Sequence, residues 1–419
     1  MKILFVHQNF PGQYEKLIPT LLRNKQNKIV SIRLGKNKDS FNRQVNHDNL
    51  KVIHYSLERG NTPGIHPWAL ETESKLIRAE ACAKVSDQLK KDGFVPDLIC
   101  AHPGWGEAMF LKTIWPSTPL LCYQEFFYQN KGYDLDFDPE LQSTPDWKAQ
   151  ARTVMKNAYL QVTLEQADWN VSPTYFQRSS FPAQWQNKIS VIHDGVDTQL
   201  AAPDLQTKPF RLTDSLVIQQ GEPIVTFVNR SFEPYRGCHT FLRAIPQIQA
   251  AIPKAQIIII GRTQGVSYGS PCPSGEWKDH FLSEIEGSYD ASRVHFVGAI
   301  NYSAFLHLLK LSACHVYLTY PFVLSWSLLE AMSTGCGIVG SSTAPVQEVI
   351  KNGKNGLLVD FFKPNDLATA VIDLLNHPKR AASLGNAARQ TVLENYSLEH
   401  CVPRHLALME LVASRALNP

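Results

Sequence analysis

The sequence predicts an α/β protein of two doubly wound, Rossmann-like domains facing each other across a cleft. Three observations predict it. The chain has 419 residues, more than one ordinary core holds. Short apolar, β-rich runs alternate with longer helix-patterned segments, the pattern of parallel βαβ units whose strands are buried on both faces. That series then starts again after a polar, proline-containing stretch, 202–223.

In the first series KILFVH is a strand and YEKLIPTLLRN a helix. DLICAH is the next strand, followed by a helical WGEAMFLKTIW and a strand PLLCYQEF. The second series runs PIVTFVN, HTFLRAIPQIQ, AQIIIIG, RVHFVG, YSAFLHLLKLS, HVYLTY, SWSLLEAMSTG, GIVGS, APVQEVIKNG and GLLVD. These set expected domains of 1–200 and 201–396. The last segment, 397–419, has helical apolar spacing. Ligands of open α/β sheets bind beyond the carboxyl ends of the strands, so the cleft is the expected site.

Composition excludes several classes. Hydrophobic residues at 44% and charged residues at 19% describe a globular chain. A net charge of +3, with Lys and Arg dispersed, gives no field suited to nucleic acid. Local basic stretches such as RNKQNK (23–28) suit either a solvated helix end or turn or peripheral contact with an anionic membrane surface. MKILFVH is too short in apolar residues for a signal peptide, and AQIIIIG falls far short of the ~20 residues of a membrane span. Eight scattered cysteines without a CxxC pair are expected to be reduced thiols in the cytoplasm. Asp134, Asp136 and Asp138 alternate as hard-cation ligands do, but Pro139 stands where a calcium loop requires glycine, so no metal is expected. Neither a GxSxG elbow nor a GxxxxGK[ST] loop is present.

The chemistry concentrates in FVLSWSLLEAM, 322–332. The strand HVYLTY is expected to end at Tyr320, so 322–326 lead into a helix whose free N–H groups and positive dipole end suit a diphosphate. Glu330 stands alone among apolar neighbours. Ser327, three residues before it, completes a capping-box pattern, which makes helix capping the competing role.

With Gly335, GIVGS and APVQEVIKNGKNGLLVD following, this constellation resembles the retaining, nucleotide-sugar-dependent glycosyltransferases of family 4, which have the GT-B fold. VIHDGVDTQ at the end of the first domain and TFVNRSFEPYRGCHTFLRAI at the start of the second extend the resemblance over most of the chain. It implies that the last helix crosses back to the first domain. It implies that Glu330 binds the ribose of the sugar donor, and that Leu324, Ser325, Trp326 and Ser327 meet its diphosphate through N–H and hydroxyl groups. Arg230 and Arg236 stand for the family's phosphate-binding Arg and Lys, the latter about one residue further on. His102 matches a histidine near the transferred sugar, and Gly12 a glycine of the loop beside phosphates and acceptor. One position departs from the pattern: the first glutamate of the family's pair is Phe322, a ring that accepts no hydroxyl bond as a carboxylate does.

The function so implied is transfer of a sugar from a UDP- or GDP-linked donor to a glycan, lipid-linked or small-molecule acceptor, with retention, as in polysaccharide biosynthesis. No cofactor or metal is required, and no dedicated base. The setting is cytoplasmic, with peripheral contact at the inner membrane face. The alternative is a nucleotide-sugar-binding protein whose turnover is lost through Phe322.

Overall fold

The computed structural model describes residues 1–35, 47–142, 146–204, 206–213 and 216–415. The chain divides into two compact units, one of Met1–Gly195 with Leu398–Pro419 and one of Val196–Ser397.

In the first unit seven strands form one sheet: β1 Lys2–Val6, β2 Lys28–Leu34, β3 Leu50–Tyr55, β4 Leu98–Ala101, β5 Leu120–Tyr123, β6 Trp169–Ser172 and β7 Ile189–Val191. All pairings are parallel, in the order β3-β2-β1-β4-β5-β6-β7. Successive β1 side chains point to opposite faces. Ile3 and Phe5 join a core with Leu98, Cys100, Leu121 and Tyr123. Leu4 and Val6 join another with Ile99, Ala101, Leu120 and Cys122. Because both faces are covered, no residue of β1 after Lys2 is free to be polar.

Helices α1 Ile18–Arg23, α2 Leu70–Lys91, α3 Leu111–Ile114, α4 Trp147–Gln166, α5 Tyr175–Ser179 and α6 Ala183–Gln186 belong to this unit. Cys82 and Leu89 of α2 cover one sheet face. Leu408 and Met409 of the C-terminal helix Leu398–Ala413 cover the other. Residues 416–419 of the helix expected over 397–419 lie outside the described residues. The long helix expected in WGEAMFLKTIW is instead a 3-10 turn, Glu107–Phe110, running into the four-residue α3. Gly106 is left-handed there, and the buried Glu107 carboxylate accepts a 2.5 Å bond from Tyr55 Oη, which holds the tight turn against β3.

The second unit opens with an antiparallel pair, β8 Phe210–Arg211 and β9 Val217–Ile218. Its main sheet has β10 Ile224–Ser231, β11 Gln256–Arg262, β12 Val294–Gly298, β13 Cys314–Tyr317, β14 Gly337–Ser341 and β15 Leu357–Val359. The order is β12-β11-β10-β13-β14-β15, again all parallel. Helices α7 Cys238–Ala251, α8 Trp277–Glu284, α9 Tyr302–Leu311 and α10 Trp326–Ser333 pack within it. Phe241 of α7 stacks on Phe227 of β10 at 4.2 Å. Strand β13 stops at Tyr317, three residues before the expected end. Beyond it the backbone turns away, and the Tyr320 N–H donates to Tyr235 O rather than to the sheet.

Both sheets reverse winding direction beside their first strand, at β1/β4 in one unit and β10/β13 in the other. Such topological switch points are where doubly wound sheets open a crevice at the strands' carboxyl ends. Among the described residues no helix is long and apolar enough to cross a membrane, and no cluster of His, Cys, Asp and Glu is arranged to hold a metal. Asp136 and Asp138 accept backbone N–H bonds within their own loop. The eight cysteines form no disulfide.

Candidate functional site

At the β10/β13 switch point of the second unit, the loop after β13 delivers the chain into α10. Its N-cap is Ser325, whose Oγ accepts from Ser327 N–H at 3.4 Å and lies 2.9 Å from Ser327 Oγ. The capping box expected of Ser327 and Glu330 therefore does not form. Ser327 is the second residue of the helix, too far along it to cap, and Glu330 lies more than a turn from the cap. Glu330 is 9% exposed, and its Oε1 accepts a 2.8 Å bond from Tyr302 Oη on α9. Its orientation thus comes from a neighbouring helix. The Ser325 N–H, expected to serve a diphosphate, donates to Tyr317 Oη at 2.8 Å. Leu324 is buried, and Trp326 and Ser327 are partly exposed at the helix start.

The two arginines have different situations. Arg230 is exposed at the carboxyl end of β10. Arg236 is buried. Its Nη1 donates to Thr319 Oγ1 at 2.8 Å, Val323 O at 3.1 Å and Tyr317 Oη at 3.3 Å, and its guanidinium lies 5.4 Å from the Tyr268 ring. Arg236 therefore ties the loop after β13 to the loop after β10. Gly237 follows with φ +68°, and a Cβ there would lie 2.5 Å from Leu318 Cβ, so the turn into α7 requires glycine.

Phe322 is buried edge-on against Tyr235, at 5.6 Å, and Tyr268, at 4.9 Å. The position that matches a carboxylate in the family is thus part of an aromatic cluster. The nearby Glu233 is also buried. Its Oε2 accepts from the Ser267 and Tyr268 N–H groups, which pins Tyr268 above Arg236, and burial pushes its carboxyl above the usual range.

At the β1/β4 switch point of the first unit, His7 and His102 directly follow the two strands, with ring centroids 5.1 Å apart. Gly12 has φ +49°, and a Cβ there would fall 2.2 Å from the His7 ring, so only glycine lets this loop close over the histidine. His7 Nδ1 accepts from Asn9 N–H at 2.9 Å, which leaves the proton on Nε2, donated to Gln13 Oε1 at 2.6 Å. Gln13 Nε2 then points to Glu125 Oε1 at 3.4 Å. His102 Nδ1 likewise accepts from Gly104 N–H, and its Nε2 faces Glu125 Oε2 at 3.8 Å. The His102 ring stacks on Tyr123 and lies 4.6 Å from Trp105. Burial, then the charges of His7 and Lys75, drives its pKa well below the ordinary value, so it is neutral at pH 7. Burial likewise lowers His7 to about 4.

Sequence reasoning missed Tyr302, Tyr317, Glu233, Gln13, Glu125 and His7. His7 and Gln13 bound the loop HQNFPGQ that contains Gly12, where position after the first strand was a usable signal. Tyr302 lies 28 residues from Glu330 and carried none.

Residues 26–201 match the family described as Glycosyl transferase family 4 group, and residues 211–391 match Glycosyl transferases group 1. D-inositol 3-phosphate glycosyltransferase of Rhodococcus jostii is 26% identical over 215 residues, 51% of this chain and 45% of that protein, so the match spans about half of that relative. Spore coat protein SA of Bacillus subtilis is 24% identical over 333 residues, 78% of this chain and 81% of that one. Sucrose-phosphate synthase from Thermosynechococcus elongatus superposes with a TM-score of 0.73 at 17% identity, covering 99% of this chain and 100% of that one. Anabaena HepE, solved with UDP and glucose, gives 0.65 at 16% identity over 98% of this chain and 99% of that one. At such identities the solved structures establish the fold. With both halves matched by family descriptions and both sheets doubly wound, the chain belongs to glycosyl transferase family 4 and has the GT-B fold.

Proposed function

We propose that the protein is a retaining glycosyltransferase that moves a sugar from a nucleoside-diphosphate sugar to a hydroxyl-bearing acceptor. UDP is the first nucleotide to try, because the HepE structure contains it. The observation that carries the reading is Glu330, an almost buried carboxylate fixed by Tyr302 near the start of α10. A carboxylate so placed is costly unless hydrogen-bonded, and a ribose offers two further hydroxyl donors to it. The helix dipole and Arg230 supply positive charge for a diphosphate, and for the charge that grows on it as the glycosidic bond breaks. Arg236 acts mainly by shaping the loop. Charge neutralisation by these groups makes a resident metal or cofactor unnecessary. In this reading the leaving phosphate takes the acceptor proton on the face from which it departs. The proposed setting is the cytoplasm, with a glycan or lipid-linked acceptor at the membrane's inner face.

A single-turnover experiment with radiolabelled UDP-glucose tests this. Transfer of label, or its slow release to water, is expected. Binding without either would leave a nucleotide-sugar-binding protein and overturn the enzymatic reading.

A further inference from the structure

Helix α4 has two apolar faces. Its inner face carries Tyr159, Leu160 and Leu164 into a core with Phe127 and Phe181. On the opposite side Trp147, Ala151, Val154, Ala158 and Val162 recur every three or four residues, which places them in one stripe along the helix. Trp147, Val154 and Val162 are 66%, 58% and 41% exposed, and the two alanines are half-buried. At the head of the stripe Trp68 lies edge-on to Trp147 at 5.9 Å and Leu70 is exposed, which widens the patch. An uncovered apolar stripe on a helix that already has a buried face marks an interaction surface.

The order of side chains along the stripe says what covers it. Ala151 and Ala158 lie three residues before and four after Val154, and Trp147 and Val162 lie seven before and eight after. Read in either direction, the stripe alternates large and small. A second α4 laid antiparallel about a two-fold axis at Val154 therefore sets Trp147 against Val162, and alanine against alanine, where two backbones can approach closely. Charge follows the same order. Lys148 is exposed near the start of the helix and Glu165 near its end, so antiparallel pairing brings each toward the other in the second copy. Their side chains lean toward each other, because each tilts to its own N-terminus. Asp146 is engaged as the N-cap, accepting from Ala149 N–H at 2.8 Å. A membrane surface suits the face less well: exposed Gln150, Gln161 and Glu165 stand beside the stripe where an interfacial helix carries Lys and Arg.

We propose that the outer face of α4 is a two-fold symmetric contact with a second copy of this chain. The helix has 20 residues and so spans about 30 Å. One such pair is small beside the ~1,200–2,000 Å² of a stable interface, which makes the dimer a weak one, dissociating in the micromolar range. The inference is independent of the glycosyl-transfer reading.

Sedimentation equilibrium of the full chain, from micromolar to submillimolar concentration, tests it. Wild type is expected to pass from monomer to dimer across that range. Val154→Arg sets two like charges on the axis and weakens association by about tenfold or more, with an unchanged melting temperature because the position is exposed. Lys148→Glu and Glu165→Lys each weaken association several-fold, and the two together restore it, an exchange that an antiparallel register produces and a parallel one does not. A monomer throughout overturns the proposal, as does a Val154→Arg variant that dimerises like wild type. Charge variants that leave association unchanged, or a double variant that fails to recover, overturn the antiparallel pairing. Sedimentation of a monomeric wild type with phosphatidylglycerol vesicles, lost in Val154→Arg, gives the face to a membrane and likewise overturns the dimer.

Discussion

Glu330 takes its orientation from Tyr302 rather than from the end of its own helix, and this separates its proposed role in binding from any contribution to helix capping. Glu330→Gln keeps an acceptor for Tyr302 but loses the charge. UDP affinity is expected to fall at least about tenfold, because bonds to charged groups are worth roughly 1.5–3 kcal/mol each, while the melting temperature barely moves. Unchanged affinity by calorimetry would remove Glu330 from the nucleotide site. The two arginines divide in the same way. Arg230 is exposed, so Arg230→Glu is expected to abolish UDP binding and leave denaturant stability within about 0.5 kcal/mol of wild type. Arg236→Glu puts a carboxylate among Tyr317, Thr319 and Val323 O, and a buried charge stripped of its partners costs about 3–5 kcal/mol. A urea titration that found Arg236→Glu as stable as wild type would contradict its role in tying the loops.

Helix α10 and the loop before it show how far local pattern carries. Apolar spacing and position after an apolar strand predicted a helix here, and the structure has one. Which serine caps it depended on where β13 let go of the sheet, and that was decided by a long-range bond from Tyr320 N–H to Tyr235 O. Ser325→Ala is expected to cost about 1 kcal/mol as a lost N-cap, and Ser327→Ala a few tenths at most; equal losses in thermal unfolding would contradict the cap assignment. The strands of both sheets were legible because burial on both faces makes them apolar throughout, as Ile3, Leu4, Phe5 and Val6 show. The short turn at Glu107 was not legible, since it depends on Tyr55, 52 residues away. Likewise Phe322 could be read as a missing carboxylate, but its packing between Tyr235 and Tyr268 depends on a loop that Glu233 holds.

Across the whole molecule, several histidines are buried in the neutral state, and this sets the response to acid. Burial lowers His7 to about 4, His193 to about 3 and His315 to about 3, and takes His102 well below 6.5. Below pH 6.5 the unfolded chain binds protons that these folded sites refuse, so stability falls with falling pH, by up to about 1.4 kcal/mol per pH unit for each histidine. Glu107 and Glu233, whose carboxyls burial raises, act in the opposite sense but are fewer. Urea unfolding is therefore expected to show lower stability at pH 5.5 than at pH 7.5, and a flat profile would contradict neutral burial. The claim on which the rest depends is that the fold binds a nucleoside diphosphate sugar. Thermal unfolding with UDP, GDP, UDP-glucose and free glucose tests it most directly. A nucleotide ligand at 100 times its Kd stabilises by roughly 2.7 kcal/mol, or about 5–10 °C for a unit of some 200 residues, and free glucose should not do so. No shift with any nucleoside diphosphate or its sugar, at millimolar concentration, would contradict the account.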